Sequence, residues 1–220
     1  PLVNGPRGTT GSWWRVRQTV LFRPASGGHH QKMDCYIVDA VRTPVARGYA
    51  TGALHEAITP VDLLKHVLRA VVERAGVEPR DIDDVVCGVV SPIGEQGGNI
   101  ARMAAIKAGW PVTVPGVQLN RMCGSSQQAI HFASQAVRSG DMDVVVAAGV
   151  EMMSRVPMGS DFAVDMAEYS KGFDVKLMHQ GQSAELIATK YGLTRDELDA
   201  LSGRSHERAA AALKAGVYDA

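Results

Sequence analysis

The chain has 220 residues, with 23 Lys+Arg against 23 Asp+Glu, so it carries no charge excess that would select nucleic acid or an acidic surface as a partner. Hydrophobic residues make up 45% and charged residues 21%, an ordinary globular composition, and no apolar run approaches the roughly 18 residues of a membrane span. The three cysteines, Cys35, Cys87 and Cys123, are odd in number, widely spaced and free of any CxxC or zinc spacing; a disulfide framework and a metal site are therefore not expected, and a reducing, cytoplasmic compartment fits best.

Residues 1–33 differ from everything after them. They contain Arg7, Arg15, Arg17, Arg23 and Lys32 but no Asp or Glu, and Met33 opens a segment resembling a normal protein start. Acid-poor, Arg-bearing N-termini can be transit peptides, but no clean amphipathic period is present. The expectation is an extension without a folded role.

From Asp34 the punctuation is regular. Residues 35–41 form a short β-prone run closed by Arg42-Thr43-Pro44. Thr59-Pro60 opens a helix with an N-cap and a proline at the first helical position, and Gly76 ends it. Its apolar positions Val61, Leu64, Val67, Leu68, Val71 and Val72 recur at three and four, defining one buried face. Residues 84–90 read as a buried strand, Asn99 as the cap of a helix running to Ala108, and residues 112–119 as a further strand. A cysteine-bearing turn follows, then a helix from about Gly124 to Ser139, and residues 143–148 as the last apolar strand. Strands that alternate with helices, each a continuous Val/Ile run, indicate an α/β fold with a mostly parallel sheet covered on both faces. Residues 151–178, rich in Met, Gly, Ser and Asp, read as a loop excursion. Two helices come next, the second opened by a Thr194/Glu197 capping box.

The candidate chemistry centres on Cys123. A cysteine placed between a strand, a tight turn and a helix start resembles a nucleophile elbow, where unpaired backbone N–H groups favour a thiolate. Burial as a small apolar side chain is the competing explanation. For Cys35 and Cys87, within apolar runs, burial in the core is the expectation. His131, eight residues past Cys123, lies about 80° around the helix and two turns away, out of reach of the thiol. His55, His66 and His206 sit in polar or helical settings and read as solvated, whereas His179, just before a helix, is open to a ligand role. The glycine-bearing segment at residues 94–98 lacks phosphate-loop spacing and reads as a turn. Glu151, just past the last strand, could be an active-site acid or a carboxylate bonded to loop amides.

Residues 119–130, LNRMCGSSQQAI, resemble the active-site cysteine segment of the thiolases. Residues 147–158, AAGVEMMSRVPM, are similar to the stretch after the next strand in that family. Residues 38–54, VDAVRTPVARGYATGAL, match its opening strand and loop, and residues 181–212 its helical loop domain, which covers coenzyme A. The resemblance implies the first half of a layered α/β/α/β/α fold: residues 1–33 as an unstructured extension, 34–150 as the N-terminal α/β domain, and 151–220 as the start of the inserted loop domain. It implies an acyl-CoA acyltransferase that cleaves or forms 3-ketoacyl-CoA through a thioester on Cys123, with His179 against the pantetheine arm. Coenzyme A would be a substrate, with no covalently bound cofactor. It further implies a homo-oligomer, dimer or tetramer, or a partner chain carrying the second half. The family's Gly-His-Pro histidine and second catalytic cysteine have no counterpart here, so the chain alone is expected to be nearly inactive. Two other readings are a non-catalytic acyl-CoA-binding or assembly subunit of the same fold, and a ketoacyl-synthase-type condensing enzyme; the Asn120 and Gly124 context and the Glu151-Met152-Met153-Ser154 stretch argue against the latter.

Overall fold

The computed structural model of the chain describes residues 18–22, 34–162 and 164–217. They divide into two units, the first running to Ala163 and the second starting at Val164.

Five strands build the first unit: β1 (Gln18–Phe22), β2 (Tyr36–Val41), β3 (Asp84–Gly88), β4 (Val117–Leu119) and β5 (Val144–Gly149). They form one sheet in the order β2-β1-β5-β3-β4. β3 is parallel to both β4 and β5, whereas β1 is antiparallel to both β2 and β5. The expectation that residues 1–33 carry no element therefore fails at Gln18–Phe22, an interior strand between β2 and β5. Five residues are too few to show a period; what makes them a strand is a ladder on each side, to partners 14 to 128 residues distant in sequence.

Helix α1 (Pro60–Ala75) starts as expected: the Thr59 hydroxyl oxygen accepts from the Asp62 N–H, Pro60 needs no donor, and Gly76 closes the helix at φ 66°. Leu64, Val67, Leu68, Val71 and Val72 are buried, each contributing about 1.5–3 kcal/mol relative to exposure. Helix α2 (Ile100–Lys107) is capped by Asn99, whose side-chain oxygen accepts from the Arg102 N–H. These two helices cover one face of the sheet, packing on Val85, Cys87, Val89, Val144, Val146 and Ala148. Helix α3 (Ser125–Ser139) covers the other face, its Ala129, Ala133 and Val137 packing on Val86, Val145 and Ala147. Along β5 successive residues thus alternate between two cores, the period of two that a doubly covered strand imposes.

Three strand expectations are shortened, 84–90 among them to Asp84–Gly88. The segment 112–119 pairs only at Val117–Leu119, because Pro115 cannot donate to a ladder and Gly116 packs on the backbone of α2. Cys35 precedes β2 and is half-buried rather than a core residue, while Cys87 is fully buried.

The second unit contains α4 (Met166–Tyr169), α5 (Gln180–Tyr191) and α6 (Arg195–Lys214). The capping box at α6 is complete, with the Glu197 N–H donating to the Thr194 hydroxyl and the Thr194 N–H donating to the Glu197 carboxylate. The unit boundary falls after Ala163 rather than after residue 150, since Glu151, Met152 and Val156 are tied into the first unit by burial and hydrogen bonds.

Candidate active site

The register of the parallel strands sets Gly88, Leu119 and Gly149 side by side at one end of the sheet. This is the carboxyl edge of β3, β4 and β5, where open α/β sheets place their ligands. The chain leaves β4 at Leu119, turns through residues 120–124 and enters α3 at Ser125, which puts Cys123 two residues before the first helical position. The helix thus starts one residue later than expected, with Gly124 at the N-cap and no side-chain cap. Cys123 is the one exposed thiol among the three free cysteines.

The turn is held tightly. Met122 adopts φ 47°, one of two non-glycine residues with positive φ among those described. A left-handed methionine costs about 1–3 kcal/mol unless its surroundings enforce it. They do so through Asn120 and Ser125. The Met122 N–H donates to Asn120 Oδ1 at 2.8 Å, the Ser125 hydroxyl donates to the Met122 carbonyl, and the Arg121 N–H donates to Ser125 Oγ at 2.9 Å. Ser125 is buried, so both bonds of its hydroxyl are shielded from water.

Two glycines let the head of α3 sit down on the strand ends. A Cβ on Gly88 would lie 2.3 Å from the Ser125 carbonyl carbon and 2.4 Å from the Ser126 nitrogen. A Cβ on Gly149 would lie 1.9 Å from Ser126 Oγ. Neither contact is visible in a single sequence, which shows only a glycine within or near the end of an apolar run.

Glu151 does not stand free as an acid. Its carboxylate accepts from the Val90 N–H at 2.7 Å, the Ser91 N–H at 3.3 Å and Gln96 Nε2 at 2.9 Å. Of the two alternatives for this residue, bonding to loop amides is the one observed. Gln96 belongs to the glycine-bearing segment, which is a turn as expected, yet its side chain is fully buried. Sequence reasoning passed over Gln96; flanked by Glu95 and Gly97 in a turn, it carries no local signal of burial.

The remaining candidates separate clearly. Cys87 lies inside the sheet, and burial, aided by the negative charge of Glu151, pushes its thiol up to about 12, so it is inert at neutral pH. His131, His66 and His206 are exposed. His55 is half-buried rather than solvated, with Nδ1 enclosed and its carbonyl accepting from Arg155 Nε at 2.7 Å. His179 caps α5, its Nδ1 accepting from the Gly181 N–H at 3.2 Å. Among the described residues no helix is long and apolar enough to cross a membrane, and no three His, Cys, Asp or Glu side chains cluster as metal ligands would.

A three-layer α/β unit with an exposed cysteine on a strained turn, at the carboxyl edge of its parallel strands, defines a protein built to present a thiol. Residues 35–220 match the model of the thiolase N-terminal domain, and the chain belongs to the thiolase family. It is 41% identical over 198 residues to a steroid 3-ketoacyl-CoA thiolase of Mycobacterium tuberculosis, an alignment covering 84% of this chain and 48% of that protein. Identity to an acetyl-CoA acetyltransferase of Chromobacterium violaceum is likewise 41% over 198 residues, covering 84% and 50%. The crystal structure of the acetyl-CoA acetyltransferase of Bacillus anthracis superposes with a TM-score of 0.67 at 31% identity, covering 92% of this chain and 50% of that one. The chain thus spans about half the length of these relatives. The match begins at Cys35, so β1 lies outside it although it pairs between β2 and β5.

Proposed function

We propose that the protein acts in acyl-CoA acyl transfer, with Cys123 as the acyl carrier. The observation that carries this is the exposure of Cys123 on the Met122 elbow at the head of α3, in a chain of the thiolase family. In the acylation step the Cys123 thiolate attacks the thioester carbonyl of an acyl-CoA. The carbon–sulfur bond to coenzyme A breaks, the coenzyme leaves as its thiolate and takes a proton, and the acyl group stays on Cys123 as a thioester. With a 3-ketoacyl-CoA the thiolate attacks the 3-keto carbon instead, the C2–C3 bond breaks, and the departing enolate of acetyl-CoA takes a proton at C2 while the shortened acyl group stays on Cys123. The Cys123 backbone N–H at the turn is suited to one of the donors that a tetrahedral oxyanion requires.

The general base and the acid for the carbon–carbon step come, in this reading, from a second half like that of the longer relatives, within the same protein or in a partner chain. General acid–base catalysis contributes roughly 10² to 10⁴ in rate, so these 220 residues alone acylate slowly and do not turn over. His179 contacts the coenzyme through Nε2: because Nδ1 accepts from Gly181, the neutral ring carries its proton on Nε2 and presents a donor there. The names of the relatives support a 3-ketoacyl-CoA or acetyl-CoA substrate.

Incubation with acetyl-CoA followed by peptide mass spectrometry tests the reading. One acetyl group is expected on the Cys123 peptide, absent in Cys123→Ser. Acetylation spread over lysines, or none on Cys123 after prolonged incubation, would overturn it.

A further inference from the structure

Gln96 is the one polar residue among the largest fully buried side chains, and its amide is completely used. Its Nε2 donates to the Ser91 carbonyl at 3.1 Å and to Glu151 Oε1 at 2.9 Å, while its Oε1 accepts from the Met152 N–H. Packing alone does not call for this residue, since an apolar side chain of similar volume would fill the space without needing three partners. The three bonds tie the chain leaving β3 to the chain leaving β5.

The same bonds continue toward the cysteine. Glu151 Oε1, which holds Gln96, also accepts from the Ser91 N–H. That N–H belongs to the peptide unit whose carbonyl is that of Val90, and the Val90 carbonyl accepts from Asn120 Nδ2 at 2.8 Å. Asn120 Oδ1 in turn accepts from the Met122 N–H. An unbroken hydrogen-bonded path thus runs from Gln96 through Glu151, the Val90–Ser91 peptide and the Asn120 carboxamide to the strained residue next to Cys123. From the Met122 N–H to Glu151 the donors all point one way, the arrangement in which hydrogen bonds polarise and strengthen one another, and Gln96 holds the accepting Oε1 from the other side.

We propose that Gln96 and Glu151 are positioning residues for Cys123, acting through Asn120 to hold Met122 left-handed and the thiol at the head of α3. Their importance for acyl transfer rests on the reading of Cys123 as the acyl carrier; their effect on the orientation of the thiol does not. The path gives the buried Gln96 leverage on an exposed cysteine 27 residues away in sequence. It also explains why the turn is closed by an asparagine: an aspartate would lose the donor to Val90, and a leucine would lose both bonds.

The test is site-resolved iodoacetamide alkylation of the 220-residue chain, with peptide mass spectrometry reading Cys123 and Cys35 separately. Asn120 is exposed, so Asn120→Ala leaves the core intact and the variant folds. Gln96→Leu removes the far end of the path without altering charge. Each is expected to slow Cys123 alkylation several-fold, because the rate depends on the access of the thiol and on the backbone N–H groups around it, both of which the turn sets. The Cys35 rate should stay unchanged, and Asn120→Ala should keep the wild-type melting temperature. The double variant should be no slower than the slower single one, because both cut the same path. A Cys123 rate within twofold of wild type in Asn120→Ala overturns the proposal, as does a parallel fall at Cys35 or full additivity of the two substitutions. If Gln96→Leu fails to fold, Asn120→Ala alone decides. Fast, Asn120-dependent alkylation without acetylation by acetyl-CoA would keep the positioning path and remove the acyl-transfer reading.

Discussion

Replacing Gly88 by alanine is the sharpest single test of how the sheet sets the cysteine turn. The added methyl would fall 2.3 Å from the Ser125 carbonyl carbon, 2.4 Å from the Ser126 nitrogen and 2.6 Å from the Ser125 oxygen, all backbone atoms. Ordinary contact begins near 3.4 Å, so the start of α3 must retreat by roughly 1 Å, since β3 is pinned between β4 and β5 and cannot. Overpacking of this kind costs about 1–3 kcal/mol, which for a chain of this size lowers the melting temperature by about 3–10 °C. The same retreat carries Cys123 with the helix and changes the access and backbone surroundings of its thiol, so its alkylation should slow several-fold. Differential scanning calorimetry and site-resolved labelling read the two effects. Gly203→Ala, in α6 with nothing within 4 Å of the new methyl, should instead stabilise that helix by about 0.5–1 kcal/mol. A Gly88→Ala protein that melts within a degree of wild type and labels Cys123 at the wild-type rate would refute the reasoning.

Three further outcomes are expected. Val20→Pro, at the centre of β1 and opposite Asp39 and Val146, should cost about 2–4 kcal/mol by removing a ladder donor and leaving its partner unpaired; an unchanged urea midpoint would show that β1 does not hold the sheet together. Asp62 is held well below the usual carboxylate range by Lys107 on α2, then by Lys65 and Thr59, so the stability it contributes is present above its unfolded pKa and is lost as pH falls through its lower folded value; Lys107→Gln should lower the neutral-pH urea midpoint by an amount worth under about 1 kcal/mol, and a difference persisting at strongly acidic pH would contradict this. In wild-type protein at neutral pH iodoacetamide should label Cys123 first, Cys35 more slowly and Cys87 only on unfolding; early labelling of Cys87 would be incompatible with its place inside the sheet.

Much of the protein was legible in the sequence because much of it is held by bonds that span only a few residues. The Thr59 cap, the Asn99 cap and the Thr194/Glu197 capping box each join groups three residues apart. The face of α1 follows from its apolar period, and the strand–turn–helix around Cys123 from an apolar run, Gly124 and a serine pair. His179, read from the sequence as open to a ligand role, sits at the head of α5, and the bond it makes there to Gly181 is a cap. What composition misjudged was β1: part of an acid-free segment lacking a period became an interior strand, because a ladder is decided by its neighbours and not by the strand's own residues. The same holds for the polar path behind the cysteine. Gln96 and Glu151 are 55 residues apart, Asn120 and Val90 are 30 apart, and nothing local marks any of them as partners. Side-by-side register of Gly88, Leu119 and Gly149 brings their loops to one edge, and the missing side chains of the two glycines let α3 close over it. Short-range hydrogen bonds and periodicity are written along the chain, so the sequence determined the helices and the cysteine turn. Contacts across the sheet exist only once strands have chosen neighbours, so the tertiary structure alone decided what holds that turn in place.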